Sequence, residues 1–403
     1  MSKPKRTGNR TRQEKRKERK HLRRRHKKRS DNYRRYQAVL QALQNFYPTK
    51  PTGHLASHLN TLAWMISGIV GSKKTSYRAI ANKSPDGNKV ESRIQRFARW
   101  IMNYNIDVET YFMPYIIQLL ESLSGGTLAL VIDGSEVGQD CMALVISVVY
   151  GHRALPIGWL VVEGKKGHLP EELHLELVKQ VAPLVPDTAK VVFLGDGEFD
   201  GTNLQQFIND DCKWDYVCRT AKNIIITEND ETFTPQELVS RPGDFVAIPD
   251  VEFTQEKYGP VQIIAWWGKG EAEPIFLVTN MELAEEAAWW YKKRAIIETF
   301  FSDQKSRGFH LHKSHLSDPN RIAVLMIPAC LAYIWMIYLG DFAKNSAWIS
   351  VIHRNDRCDL SLFQLGLDLL EHFINEFIPI PVAFSFQNNL PNTPLPSPDD
   401  FPL

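Results

Sequence analysis

The sequence is poor in cysteine and lacks a secretory leader pattern. Its five cysteines, Cys141, Cys212, Cys218, Cys330 and Cys358, are an odd number at scattered spacings, and none belongs to a paired CxxC motif. This pattern excludes a disulfide framework and predicts reduced, mostly buried thiols without a structural zinc ion. The N-terminal segment has no apolar h-region, which excludes a secretory signal peptide and favours a cytoplasmic protein.

Acidic residues are scarce at the N-terminus. Residues 1–35 contain 18 Lys or Arg but only Glu14, Glu18 and Asp31, a surplus of 15 positive charges in a chain whose net charge is +2. A segment this basic, with almost no apolar residues, cannot build a core. We expect a disordered arm that binds nucleic acid without regard to sequence, and the alternatives are a solvated tail or a localisation signal.

Long hydrophobic runs are also rare. The one exception is IAVLMIPACLAYIWMIYLG, Ile322 to Gly340, whose 19 uncharged residues match the length of a membrane span. Pro328 and the lack of a second such run favour a buried core helix instead. We therefore expect no membrane partner, and a single membrane anchor is the alternative.

The remaining composition, 43% hydrophobic and 23% charged, is ordinary for a globular protein. Apolar residues at helical spacing predict a small helical domain over residues 36–124. Within it, two short helices around PDGNK resemble a helix-turn-helix, and the second carries Lys89, Arg93, Arg96 and Arg99. Such a helix fits a DNA major groove, although a solvated charged face gives the same pattern.

Beyond Gly126 the pattern changes to strands that alternate with helices, which predicts an α/β fold with a mixed sheet covered by helices. We divide this part into a core over residues 125–220, a β-rich insertion over 221–284, and a last core segment over 285–345. A C-terminal helix and a proline-rich tail occupy residues 346–403, and the tail beyond Pro379 is expected to be extended.

Two carboxylates stand at strand ends in this α/β part. Asp133 follows LALVI and Asp196 follows VVFLG, and a glycine comes directly after each. Strand ends of an α/β sheet open into a shared crevice, so the two side chains are placed to meet. Asp-Gly is also a favoured turn pair, which is the alternative for each of them.

A third carboxylate lies in a polar stripe further along. Tyr291, Arg294, Glu298 and Lys305 fall within roughly 60° of one another if residues 289–313 form one helix. Alone, Arg294 and Glu298 are an ordinary i, i+4 ion pair. Together with the two aspartates, Glu298 completes three hard oxygen ligands that suit two Mg²⁺ or Mn²⁺ ions and phosphodiester chemistry.

At this point the sequence resembles a family. DGSEV and LGDGEFDG after two strands, followed by Tyr291-x2-Arg294-x3-Glu298-x6-Lys305, resemble the DDE transposases of bacterial insertion sequences, specifically the insertion sequence 4 type with a Y-R-E-K signature. The resemblance implies an RNase H-like catalytic core with a β-rich insertion, an N-terminal DNA-binding domain and two divalent metal ions. It assigns Asp133, Asp196 and Glu298 as metal ligands, and Tyr291, Arg294 and Lys305 as contacts to the cleaved end.

The same resemblance implies cut-and-paste transposition of double-stranded DNA with terminal inverted repeats into target DNA, by a homodimer and through a hairpin intermediate. In hairpin-forming members an aromatic residue of the insertion stacks on a flipped base. Trp266 and Trp267 are the candidates here, with a slight preference for Trp267. Trp289 and Trp290 are rivals, but we expect them to be core residues.

A second function class remains open, a DNA-binding regulator derived from such an enzyme that no longer cuts. The presence of all three acids argues against it.

Overall fold

The computed structural model describes residues 31–164, 167, 169–354 and 357–386. Most of the basic arm, residues 1–30, and the proline-rich segment 387–403 lie outside the described residues. The N-terminal part is helical, as the apolar spacing predicts. Its helices are α1 (residues 31–45), α2 (Gly53–Ser72), α3 (Tyr77–Lys83), α4 (Val90–Ile101), α5 (Val108–Tyr111) and α6 (Met113–Leu123).

The last five residues of the predicted disordered arm are helical, because residues 31–35 belong to α1. Arg35 is buried there and donates to the Ser67 carbonyl at 2.8 Å. Arg34 donates to the carbonyls of Phe373 and Ile374 at 3.2 and 3.0 Å. Arg35 thus binds a carbonyl oxygen inside α2, and Arg34 binds two near the end of the helix Leu362–Asn375. Their role in the described structure is to fasten α1 to the rest of the protein.

The two helices of the helix-turn-helix candidate are present as α3 and α4. Arg93 on α4 is paired with Asp86 and donates to the Ala81 carbonyl at 2.8 Å. The Arg96 guanidinium lies over the Trp64 ring, 4.2 Å from its centroid. Both side chains are therefore engaged inside the helical region, whereas Lys89 and Arg99 are exposed.

Ten strands form one sheet in the described part of the chain. They are β1 (Leu128–Glu136), β2 (Cys141–Tyr150), β3 (Arg153–Glu163), β4 (Val191–Gly195), β5 (Asp215–Arg219), β6 (Ile226–Glu228), β7 (Glu231–Phe233), β8 (Phe245–Phe253), β9 (Tyr258–Trp266) and β10 (Ile275–Thr279). Their order is β3-β2-β1-β4-β5-β10-β9-β8-β6-β7. β1, β4 and β5 are parallel neighbours, and all other pairs are antiparallel. This mixed sheet is consistent with an RNase H-like core.

The β-rich insertion does not form a separate sheet. β10 pairs with β5 through Leu277 and Arg219, and β9 and β8 follow it, so the insertion continues the core sheet outward from β5. A small apolar cluster of Val239, Ala265 and Phe276 packs within it. β10, the last strand of the insertion, is thus part of the core sheet and directly precedes the signature segment in the chain.

Helices complete the α/β part. They are α7 (Glu171–Val181), α8 (Thr202–Gln206), α9 (Ala284–Tyr291), α10 (Ile297–Gln304), α11 (Pro319–Lys344), α12 (Ile349–Ile352) and α13 (Leu362–Asn375). Of the described helices, α11 alone is long and apolar enough to cross a membrane, but its apolar window is 89% buried within the protein. It packs against α2, α13 and β3. This confirms the prediction of a buried core helix, with Pro328 inside it.

Two glycines let α11 and α13 approach closely. A Cβ on Gly366 would lie 1.9 Å from the Met336 carbonyl oxygen, and one on Gly340 would lie 1.8 Å from the Leu362 carbonyl oxygen. The chain then crosses back over the core, where Phe384 packs on Tyr115 and the Pro381 carbonyl accepts from the Trp335 indole at 3.0 Å. All five cysteines lie within the described residues as free thiols; three are buried, Cys212 is half-buried and Cys358 is exposed.

Candidate active site

Parallel pairing of β1 and β4 brings the two predicted aspartates side by side. Val131 of β1 is the partner of Leu194 of β4, so two residues further along both strands Asp133 faces Asp196. Side chains alternate along a strand, and both carboxylates therefore leave the sheet on the same face. Asp196 directly follows β4, as predicted, whereas Asp133 lies inside β1, which continues to Glu136.

The environment of Asp133 disfavours its charged form. Burial raises the pKa of Asp133 to about 6, and the negative charges of Asp196 and Glu198 act in the same direction. A hydrogen bond of 2.7 Å from the Gly134 amide to Oδ1 and the positive charge of Arg294 act against this rise. A carboxyl group with a raised pKa beside a second carboxylate is typical of a functional site.

One cation lies between the two carboxylates. Nη1 of Arg294 is 3.8 Å from Oδ2 of Asp133 and 3.4 Å from Oδ2 of Asp196. The Arg294 side chain is 18% exposed, so this guanidinium is mostly withdrawn from solvent. The predicted pair of Arg294 with Glu298 is not among the ion pairs of the described residues, because the two aspartates bind the guanidinium instead.

The signature segment is not one continuous helix. α9 ends at Tyr291, a short 3₁₀ turn covers Arg294–Ile296, and α10 begins at Ile297. Lys305 follows α10 with a non-helical backbone, φ −98° and ψ −109°. The prediction of a single polar stripe was therefore wrong. The break turns Arg294 toward β1 and β4, which a uniform rotation of 100° per residue does not describe.

The segment that carries Glu298 is fastened to the same strand at both ends. Arg294 contacts Asp133, and the Lys305 ammonium donates to the Ser135 hydroxyl at 2.7 Å, two residues further along β1. Glu298 lies between these anchors, in the first turn of α10, and is exposed. The structure thus brings Asp133 and Asp196 together with Arg294 and Lys305, while Glu298 stands apart from the aspartate pair.

Tyr291 is buried at the end of α9. Burial raises the pKa of Tyr291, while Arg294 and Arg219 lower it and Asp196 raises it further. These charges place the phenol beside the aspartate and arginine cluster. Its hydroxyl stays protonated near neutral pH, which makes it a hydrogen-bond donor to an anionic group.

The four candidate tryptophans differ in exposure. Trp266 and Trp267 are both half-buried; Trp267 packs on the insertion cluster and its indole donates to the Glu271 carbonyl at 3.0 Å. Trp290 is buried, as expected, but Trp289 is 52% exposed, which corrects the expectation of a core residue. The Lys293 ammonium lies 3.8 Å from the Trp289 ring centroid and 4.2 Å from that of Trp290.

Three residues that contribute to the site were not assigned a role from the sequence. Ser135 holds Lys305, Glu198 adds negative charge near Asp133, and Arg153 pairs with buried Asp303 at 2.7 Å, which ties α10 to β3. Asp303 and Glu198 stand out in the sequence only as acids outside the signature. Arg153 is distant in sequence from Asp303, and Ser135 is distant from Lys305. No local sequence pattern therefore predicts these two contacts.

The two aspartates fit a divalent cation. Their oxygens surround one positive group, and carboxylate oxygens are the ligands that Mg²⁺ and Mn²⁺ prefer. In the described residues no three His, Cys, Asp or Glu side chains form a group that could hold a metal ion. The arrangement offers two ligands in place and a third on the adjacent turn.

Comparison with known proteins identifies one family. No curated protein matches the sequence. Among solved structures, the fold is similar to a piggyBac transposase synaptic complex with hairpin DNA, with a TM-score of 0.42 and 12% identity over 91% of this chain and 85% of that chain. Residues 127–335 match the transposase DDE domain. This match includes β1, β4 and the signature segment, and the chain therefore belongs to the transposase DDE domain family.

Proposed function

We propose that this transposase moves an insertion sequence by cut-and-paste excision and integration, with Asp133, Asp196 and Glu298 as the ligands of two divalent metal ions, Mg²⁺ or Mn²⁺. Membership in the insertion sequence 4 type, with its Y-R-E-K signature, is part of this proposal. The single observation that carries it is Arg294, held between two carboxylates on adjacent parallel strands. Two acids that converge on one cation are poised to exchange that cation for a metal.

The chemistry of the site follows from charge. Divalent ions bound here would activate the attacking oxygen and stabilise the leaving oxygen of a phosphodiester displacement. Asp133 and Asp196 would supply the negative charge that holds such ions. Once displaced from the aspartates, the guanidinium of Arg294 is placed to bind a phosphate of the cleaved strand in a bidentate fashion, and Lys305 gives a second positive charge 11 residues further along the signature.

Glu298 is not grouped with the two aspartates among the described residues, so its delivery as the third ligand requires a rearrangement. Glu298 sits in the turn between the Arg294 and Lys305 anchors, so release of Arg294 from the aspartates frees one end of this turn. We infer that metal and DNA binding together draw Glu298 toward the aspartates. Tyr291, at the end of α9, would then donate a hydrogen bond from its hydroxyl to a phosphate oxygen.

DNA is the proposed partner outside the catalytic residues as well. The helical region 36–124 would bind the terminal inverted repeats, with the exposed Lys89 and Arg99 of α4 nearest to the phosphates and Arg93 and Arg96 bracing that helix from inside. The basic arm would add affinity that is insensitive to sequence. Two copies of the chain would pair the two element ends in one synaptic complex.

A hairpin step is also proposed, and exposure now favours a different platform for the flipped base. Trp289 is the most exposed of the four candidates and stands two residues before Tyr291 in the sequence. Base stacking on an aromatic ring contributes about 1 to 3 kcal/mol. Trp267 and Trp266 are each half-buried in the insertion, which leaves less of either ring for a base.

Incubation of the full chain with Mg²⁺ or Mn²⁺ and DNA carrying the element ends tests the proposal. We expect nicking at the ends, slow-migrating hairpin ends on a denaturing gel, and joining to a target plasmid. Asp196→Asn is expected to lose all three products, whereas Asp187→Asn, at an exposed position before β4, keeps them.

Binding of the end DNA without cleavage in any divalent metal would instead support the catalytically silent regulator. Cleavage without hairpin ends would remove the hairpin step and with it the stacking role of tryptophan. If Asp196→Asn cleaves end DNA as fast as the unmodified chain does, the proposed set of metal ligands is wrong.

A further inference from the structure

A group of basic residues lies beyond the signature, where the catalytic core meets the helical region. His310 and His312 follow the turn after Lys305, and Lys313 comes next. The hydroxyl of Thr75, in the turn between α2 and α3, donates to the His310 carbonyl at 3.4 Å, which brings Lys74 beside this turn. We call Lys74, His310, His312 and Lys313 the basic junction.

The positive charge of the basic junction comes from its two lysines. Burial lowers the pKa of His310, and the positive charges of Lys313 and Lys74 lower it further. For the pKa of His312, burial comes first again, followed by Lys313, His310 and Lys305. Lowered from an ordinary value of 6.5, these pKa values leave both imidazoles mostly neutral near pH 7. Lys74 and Lys313 therefore carry the positive charge of the junction, and an anion bound there would reduce their mutual repulsion.

The backbone of the loop that carries His310 is anchored to the protein core. The Phe309 amide donates to the Asp303 carbonyl at 2.9 Å, and the buried Phe309 ring packs against Phe363 with centroids 5.3 Å apart. His310 adopts the left-handed region at φ 54°, which is uncommon for a residue with a side chain. This anchored loop presents the exposed Lys313 at its surface, where the ammonium group is accessible to a ligand from solvent.

We propose that the basic junction binds the phosphate backbone of duplex DNA that runs from the helical region to the catalytic carboxylates. This inference rests on the proposed function and extends it to residues outside the signature. Lys305 belongs to the signature and links the junction to β1, because its charge acts on His312 and its ammonium donates to Ser135. A strand held at Lys74 and Lys313 is therefore directed toward Asp133. Contacts to phosphates carry no sequence preference, so the junction sets position rather than specificity.

The salt dependence of DNA binding tests the basic junction without any cleavage. The full chain, Lys74→Ala/Lys313→Ala and the control Lys257→Ala/Lys269→Ala are compared by fluorescence anisotropy on an unrelated duplex, without metal. All four lysines are exposed, so both double variants are expected to fold. Between about 50 and 300 mM NaCl, each lost phosphate contact reduces the slope of log K against log salt by about 0.9.

In the junction variant we expect the slope of log K against log salt to fall by about 2 in magnitude and the affinity to fall roughly tenfold. In the control variant we expect both changes to be much smaller. An unchanged slope would overturn the inference, and so would an equal loss in the control pair, which would reflect net charge alone. These results are separable from failure of the proposed function. If the unmodified chain cleaves end DNA but the junction variant binds DNA as the unmodified chain does, only the junction is refuted. If the unmodified chain fails to bind DNA, the proposed function is refuted.

Discussion

Asp133→Asn is expected to abolish strand cleavage and, at the same time, to stabilise the protein. Loss of one metal-ligand charge removes several kcal/mol of transition-state stabilisation, which corresponds to a rate reduction of about 10³-fold or more. The folded protein, in contrast, gains from the change. The introduced amide keeps an oxygen for the Gly134 amide and adds a donor toward Asp196, while a desolvated and repelled negative charge disappears.

The gain in stability has a defined pH dependence. The pKa of Asp133 is raised from an ordinary value of 3.8 to about 6 in the folded protein, so the folded state holds a proton more tightly than the unfolded state. This contribution favours folding below pH 4 and is lost as the pH rises through 6. We expect the variant and the unmodified chain to be equally stable in acid, and the variant to be more stable by about 1 to 2 kcal/mol near pH 7.

Denaturant titration at several pH values measures this difference, with Asp187→Asn as the matched control on an exposed turn. Asp303 also has a pKa raised to about 6, by burial, and is present in all three proteins. The comparison between variants therefore isolates Asp133. A variant that is less stable than the unmodified chain at neutral pH would show that Asp133 has a structural role instead of a functional one.

Arg294→Ala is expected to produce the second large effect, a loss of stability that depends on metal. Its removal leaves Asp133 and Asp196 without the cation between them, which costs about 1 to 3 kcal/mol at a partly buried site. A divalent cation then has no guanidinium to displace. Mg²⁺ is expected to raise the thermal midpoint of the variant more than that of the unmodified chain, because ligand binding to the folded state stabilises it.

Cleavage by Arg294→Ala is expected to fall by about 100-fold, since the variant lacks one charged contact to phosphate. Arg294→Lys is the matched control: it keeps the charge between the aspartates and is expected to recover most of the stability but only part of the cleavage, because an ammonium cannot bind a phosphate in a bidentate way. Equal stability of the alanine variant and the unmodified chain in a chelator would contradict the role given to Arg294.

The sequence was sufficient to place the two aspartates. Their strands are short apolar runs with glycine after the acid, and parallel neighbours in a sheet follow from the alternation of strands and helices. The burial of α11 could also be predicted from the sequence, because Pro328 interrupts the apolar run and the sequence contains no second run of that length. These features depend on local pattern, which a single sequence contains.

Other features depend on contacts that are distant along the chain. No glycine or proline marks the break between α9 and α10, where Arg294 contacts Asp133 and Asp196. The same holds for Ser135 with Lys305 and for Arg153 with Asp303, whose partners lie more than 100 residues apart. The contacts of Arg34 and Arg35 with carbonyl oxygens of other helices could not be predicted either, because a basic sequence does not reveal which of its cations bind within the fold.

The central claim is that Asp133, Asp196 and Glu298 together hold the metal ions of a DNA-cutting enzyme. Mn²⁺ binding to the full chain in complex with end DNA, followed by electron paramagnetic resonance, tests it most directly. We expect Asp133→Asn, Asp196→Asn and Glu298→Gln each to weaken Mn²⁺ binding by at least about tenfold, whereas Glu285→Gln on α9 leaves it unchanged. Unaltered Mn²⁺ binding by Glu298→Gln would contradict the claim.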